Sequence, residues 1–317
     1  MTNLARLIII FVFASLNVLS QTGAGLNRDP KTVKFVTSDI DNFWRAYDIA
    51  AKESEKAKRI QIFQTEYLDK GSLGLKDFLQ LRIRSAQDLV AVMDQMPKYY
   101  ASIRPSTLAV AKMQKRVRAA FTKFKSIYPD AVFPDVYFLV GAANSGGTTA
   151  GSGLLIGAEM YGKTPSTDLN ELPVWLRSVL SSVDQMPGIV AHESCHYNQH
   201  YPAQKSLLAK SIQEGSCDFI GELISGQNIN ERLKVYGRTH DPEIWRDFTA
   251  EMDKPDYSNW IYNGSRSKDK PGDLGYYVGY VISRAYYQKA KNKKQAVRDI
   301  LNIKDFKQFY EASGPPV

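Results

Sequence analysis

The sequence predicts an α+β chain that is mainly helical. Three observations carry this. Residues 38–127 show helical periodicity with few breaks, strand composition begins abruptly at Val132, and two separated acidic and histidine-rich segments near residues 192 and 214 both read as helices that must meet.

Taken in order, Met1–Arg6 carries one positive side chain, Leu7–Leu19 is almost wholly apolar, and small residues follow. This predicts a signal peptide over 1–20, with cleavage as late as 24, since the apolar run is too short for a comfortable membrane span. The lack of cysteine near residue 20 argues against a lipoprotein anchor. Residues 21–34 read as a flexible lead-in, and 35–317 as one domain: a helical scaffold lobe over 35–130, then a β-hairpin and metal-site helices over 131–317. A short strand at Phe35–Val36, a helix cap at Thr37 or Ser38, and Ile40, Phe43, Trp44 and Tyr47 at core spacing predict a helix to about Lys58. Val136–Val140 and Gly153–Glu159 then read as strands flanking a glycine-rich loop.

Composition bounds the function. With 317 residues and 44% hydrophobic side chains there is ample material for a core. The formal charge of +8 comes from basic residues dispersed among acids, with no basic tract interleaved with aromatics. Nucleic acid is therefore not an expected partner, and a basic envelope protein is the simpler reading.

The chemistry concentrates at His192–Glu193–Ser194–Cys195–His196. Two histidines four apart on a helix share one face and can hold one zinc ion, with Glu193 placed as a general base. Glu214, on a second helix after Pro202, supplies the third ligand of one Zn2+ per chain. Asp218, one turn on, can accept a hydrogen bond from a ligating imidazole. The metal helix opens at Pro187 and can run to about His200. His200 lies two turns beyond His192 and is left out of the ligand set. The only cysteines, Cys195 and Cys217, either form a disulfide or remain two small buried side chains, and the second is the simpler reading. Tyr276, then His240, are candidates to stabilise an oxyanion. Gly153, Leu154, Leu155 and Ile156 would take up an extended peptide if their strand is a sheet edge beside the metal helix.

The pattern H-E-x-x-H, seventeen residues, then E-G-x-x-D-F resembles the gluzincin branch of zinc metallopeptidases, the thermolysin-like class. More closely, Val36–Asp48, Asn144–Glu159, the metal helices and Asp273–Tyr280 resemble the secreted zinc-dependent proteases of domain-of-unknown-function type 2268. The resemblance implies a zincin-like fold, with His192, His196 and Glu214 as ligands, Glu193 as base and Asp218 behind a ligand. The related gliding-motility lipoprotein B group suggests that such scaffolds can also serve envelope assembly with no proteolysis.

The expectation is a secreted or periplasmic zinc peptidase acting on a peptide or protein, with no transmembrane segment. The alternative is a non-catalytic envelope-associated binding or assembly protein that keeps zinc as a clip between two helices. A zinc hydrolase acting on something other than peptides also stays open.

Overall fold

The computed structural model describes residues 26–264, 267 and 270–314. The signal-peptide reading lies outside the described residues. Of the lead-in, residues 26–34 run along the scaffold, where the Arg118 guanidinium donates to the carbonyls of Pro30, Lys31 and Val33.

A short strand, β1 (Phe35–Val36), leads into α1 (Ser38–Ala50), and α2 (Lys56–Phe63) follows. The single helix expected to about Lys58 is thus two. Its last turn tightens, with Lys52 and Glu53 bonding carbonyls three residues back, and the stretch Ala51–Lys58 offers no apolar stripe that would bury a continuation. Ile40, Phe43 and Trp44 are buried as their spacing demands. Phe43 sits at the centre of an aromatic cluster with Phe63, Tyr67 and Tyr100. The lobe continues through α3 (Leu73–Phe78), α4 (Ala86–Gln95), α5 (Pro97–Ser102), α6 (Arg104–Leu108) and α7 (Gln114–Ile127). Ser72 and Ser85 cap α3 and α4 by accepting from the backbone three residues on.

Three strands complete a four-stranded sheet: β2 (Val136–Leu139), β3 (Thr148–Thr149) and β4 (Leu154–Gly157), in the order β1-β2-β4-β3. β2 and β4 are parallel, with Val136 opposite Leu154 and Leu139 opposite Gly157. They are therefore not the arms of one hairpin. The hairpin is β3–β4, antiparallel with Thr148 opposite Leu155, closed by Ala150 and Gly153 bonding each other's backbone. Every residue of β2 and β4 is buried, as near-continuous apolar runs in parallel strands require.

The second half is helical: α8 (Val174–Val179), α9 (Met186–His196), α10 (Leu207–Ser225), α11 (Glu231–Thr249), α12 (Leu274–Lys289), α13 (Lys293–Leu301) and α14 (Phe306–Ser313). α9 packs on β3 and β4, and α10 lies between α9 and α12. Glycine makes the α10–α12 crossing: a Cβ at Gly279 would lie 1.8 Å from the Ser211 carbonyl oxygen, and one at Gly215 2.1 Å from the Tyr280 nitrogen. α9 stops at His196, short of His200. Asn198 turns the chain there, its side chain bonding Val132 and the Ser194 carbonyl. Among the described residues no helix is long and apolar enough to cross a membrane.

Candidate metal centre

Packing of α9 against α10 brings His192, His196 and Glu214 together, with one ligand atom from each lying within 4.8 Å of the others. The approach is close because Gly221 faces the backbone of Ala191 and His192. Cys195 and Cys217 form a disulfide across the same contact, with Cα atoms 5.2 Å apart. The simpler reading of two unlinked side chains is corrected: the crossing of the two helices puts both cysteines within disulfide reach.

The two imidazoles are held from behind. Asn230 donates to Asp218 Oδ2 (2.7 Å), and Asp218 Oδ1 lies 2.8 Å from His192 Nδ1. His196 Nδ1 lies 2.9 Å from Gln199 Oε1, while the Gln199 amide donates to the Gln213 carbonyl and to Ser216 Oγ. An acceptor lies behind each Nδ1, in a hydrogen bond at His196 and, at His192, in a 2.8 Å approach without hydrogen-bond geometry; protons on the two Nδ1 atoms would leave lone pairs on both Nε2 atoms. Those Nε2 atoms face each other at 3.0 Å, and Glu214 Oε2 lies 3.2 Å from one and 3.9 Å from the other. Glu214 Oε2 is buried with no hydrogen-bond partner among the described residues. Three electron-rich atoms converging in a buried place repel one another unless a cation sits between them.

The distances fit zinc. Ligands about 2.05 Å from a tetrahedral ion stand roughly 3.3 Å apart, which the observed separations bracket. Glu214 Oε1, the other carboxylate oxygen, accepts from Tyr262 OH (2.7 Å) and pairs with Lys210 Nζ (2.8 Å). Burial works against ionisation of Glu214, but Lys210 and the two imidazoles outweigh it and hold the carboxyl well below its usual range. At His192 burial disfavours charge, yet Asp218 beside it outweighs this and moves the pKa up to about 9. A proton would thus compete with a metal ion for this ring. Glu193 is buried against Gly147 with Oε1 unpartnered among the described residues, and burial raises its pKa.

The other expected site residues divide. Tyr276, on α12, lies over His192 with ring centroids 6.4 Å apart. His240 does not join the group. It stacks on Tyr236 at 3.9 Å and bonds the Tyr236 carbonyl and Thr239, at a kink in α11 before Pro242. Gly153, Leu154, Leu155 and Ile156 do not form a free edge either. Gly153 is in the hairpin turn, and β4 is interior, with β2 on one side and β3 on the other. Strand order is a long-range pairing choice that strand composition leaves open. Tyr262 was not among the expected residues. It has φ of 59°, a rare backbone for a non-glycine residue, and lies 48 positions from Glu214, so no local pattern marked it. Lys210 was legible in principle as a basic residue one turn before Glu214.

Residues 26–314 match the family described as Gliding motility protein GldB. No curated protein and no solved structure matches the chain. The match overturns the assignment to gluzincin metallopeptidases or to the type 2268 proteases, and with it the hydrolase reading. The physical reason is that the spacing H-E-x-x-H with a downstream Glu specifies where three ligands meet and leaves open what the ion then does. With all of its described residues inside the match, the chain belongs to the Gliding motility protein GldB family.

Proposed function

We propose that this protein is a non-catalytic, envelope-associated component of bacterial gliding, a binding or assembly protein in which zinc clips α9 to α10. The observation that carries the reading is the family match over residues 26–314. The site's construction supports the zinc. Two Nε2 lone pairs and a partnerless carboxylate oxygen converge at zinc-like separations, inside a contact already tied by a disulfide. His192, His196 and Glu214 would hold the ion. When bound, it supplies a fixed positive charge that offsets the crowding of the three donors. Asp218, Asn230 and Gln199 orient the imidazoles, and Tyr262 and Lys210 keep Glu214 ionised and in place.

The test is complementation in a gliding bacterium deprived of this chain. Glu193→Gln keeps the shape and the ligands while removing the one group that a hydrolytic role would need as a base. It is expected to restore gliding as wild type does. His196→Ala is expected to lose zinc and to restore gliding poorly. Loss of gliding in the Glu193→Gln strain, with protein level and zinc content unchanged, would overturn the non-catalytic reading.

A further inference from the structure

Beside the candidate metal centre the described residues line a partly open cavity of about 130 Å³. Its walls are largely apolar, with Met160, Trp175, Val179, Ile189 and Ile229 among them, and His192 forms part of the lining. Three tyrosines also line it: Tyr262 donates to Glu214, and the remaining two, Tyr161 and Tyr276, are exposed by only 7% and 6%. Neither hydroxyl has a hydrogen-bond partner among the described residues. Other deeply buried tyrosines in the fold are satisfied: Tyr67 donates to Val140, Tyr99 to Glu159 and Tyr100 to Gly141. Neither hydroxyl is among the side-chain atoms sealed off without a partner, so each is free to donate to an acceptor placed in the cavity. Tyr161 OH lies at Gly146, where a Cβ would stand 2.7 Å from it, so the glycine keeps that hydroxyl clear.

We infer that this cavity is a ligand site for a carboxylate carried on a compact apolar body, such as the C-terminal residue of a polypeptide ending in phenylalanine or leucine, or a free aromatic acid. The apolar walls take the body, and the tyrosine hydroxyls donate to the acid's oxygens. The sign of the charge follows from the ligand set. Two neutral imidazoles and one carboxylate leave a divalent ion with one net positive charge at the cavity wall, and Lys210 beside Glu214 offsets Asp218 behind His192, which favours an anion over an amide. Arg232, also in the lining, is neutralised by Asp273 at 3.3 Å and does not decide the sign. The inference rests on zinc occupancy as proposed above and adds the class of ligand that the neighbouring cavity takes.

The experiment is isothermal titration of the full mature chain with N-acetyl-Ala-Ala-Phe, its C-terminal amide and 3-phenylpropionate, with zinc measured by elemental analysis on the same samples. The free-acid peptide is expected to bind at least tenfold more tightly than the amide. Tyr276→Phe, which removes only the hydroxyl, should weaken the acid severalfold with zinc unchanged. Ile229→Trp, which fills the cavity, should abolish binding. If the peptide acid binds more tightly than 3-phenylpropionate, the source is a polypeptide end; equal binding with the amide still rejected identifies a small acid, and both support the site. Acid and amide binding alike, or no binding by zinc-loaded protein, would overturn the inference and leave the zinc reading intact. Absence of zinc after reconstitution would overturn the zinc reading, and the inference with it.

Discussion

Removal of the Cys195–Cys217 disulfide tests how the two helices that carry the candidate ligands are held. The bridge closes a chain segment with a sequence separation of 22. In the chain-entropy treatment, a loop of that length removes about 3 kcal/mol of conformational freedom from the unfolded state. Cys195→Ala/Cys217→Ala deletes both sulfurs and leaves no odd thiol. Both cysteines are fully buried, so lost packing adds to the entropic loss, and about 3 kcal/mol is the lower expectation. That is a large part of the roughly 5–15 kcal/mol by which a folded domain is stable. The assay is equilibrium urea unfolding in chelator, followed by far-ultraviolet circular dichroism, where the midpoint should fall with little change in slope. Repeated at saturating zinc, the gap should widen, because the variant must itself bring the α9 and α10 ligands together. A loss under about 1 kcal/mol in chelator would refute the reasoning, since the chain-entropy contribution alone exceeds it.

Three further outcomes follow from the same geometry. Glu214→Ala removes the donor from α10, and elemental analysis should show zinc falling from about one per chain to near zero, whereas Glu193→Gln should retain it. Gly279→Ala places a methyl group 1.8 Å from the Ser211 carbonyl of α10, so the helices must separate; overpacking of this kind costs about 1–3 kcal/mol or more, measurable as a lower urea midpoint. Burial lifts the Glu159 carboxyl from its ordinary range to about 7, despite hydrogen bonds from Gly141 and Ala143 that favour its charge. The folded state therefore holds that proton more tightly than the unfolded one, and stability declines as pH rises from about 4.5 through 7, by roughly 3 kcal/mol. Glu159→Gln should remove that decline in a pH series of unfolding midpoints, and an unchanged slope would refute the assignment.

What the sequence determined by itself was local. The i, i+4 spacing of His192 and His196 put both rings on one face of α9, and the apolar spacing of Ile40, Phe43 and Trp44 marked the buried face of α1. Each depends on neighbours within a turn or two, which periodicity encodes. Decisions between distant segments were left to the tertiary structure. The interior place of β4, the disulfide, the Tyr262 contact to Glu214 and the exclusion of His240 all depend on how elements far apart in the chain are packed. The same division explains the functional correction. Ligand spacing is a local property and was legible, whereas the cavity beside the ligands, with its apolar walls and two partnerless tyrosine hydroxyls, is assembled from loop and helix segments between Gly146 and Tyr276 that meet only on folding.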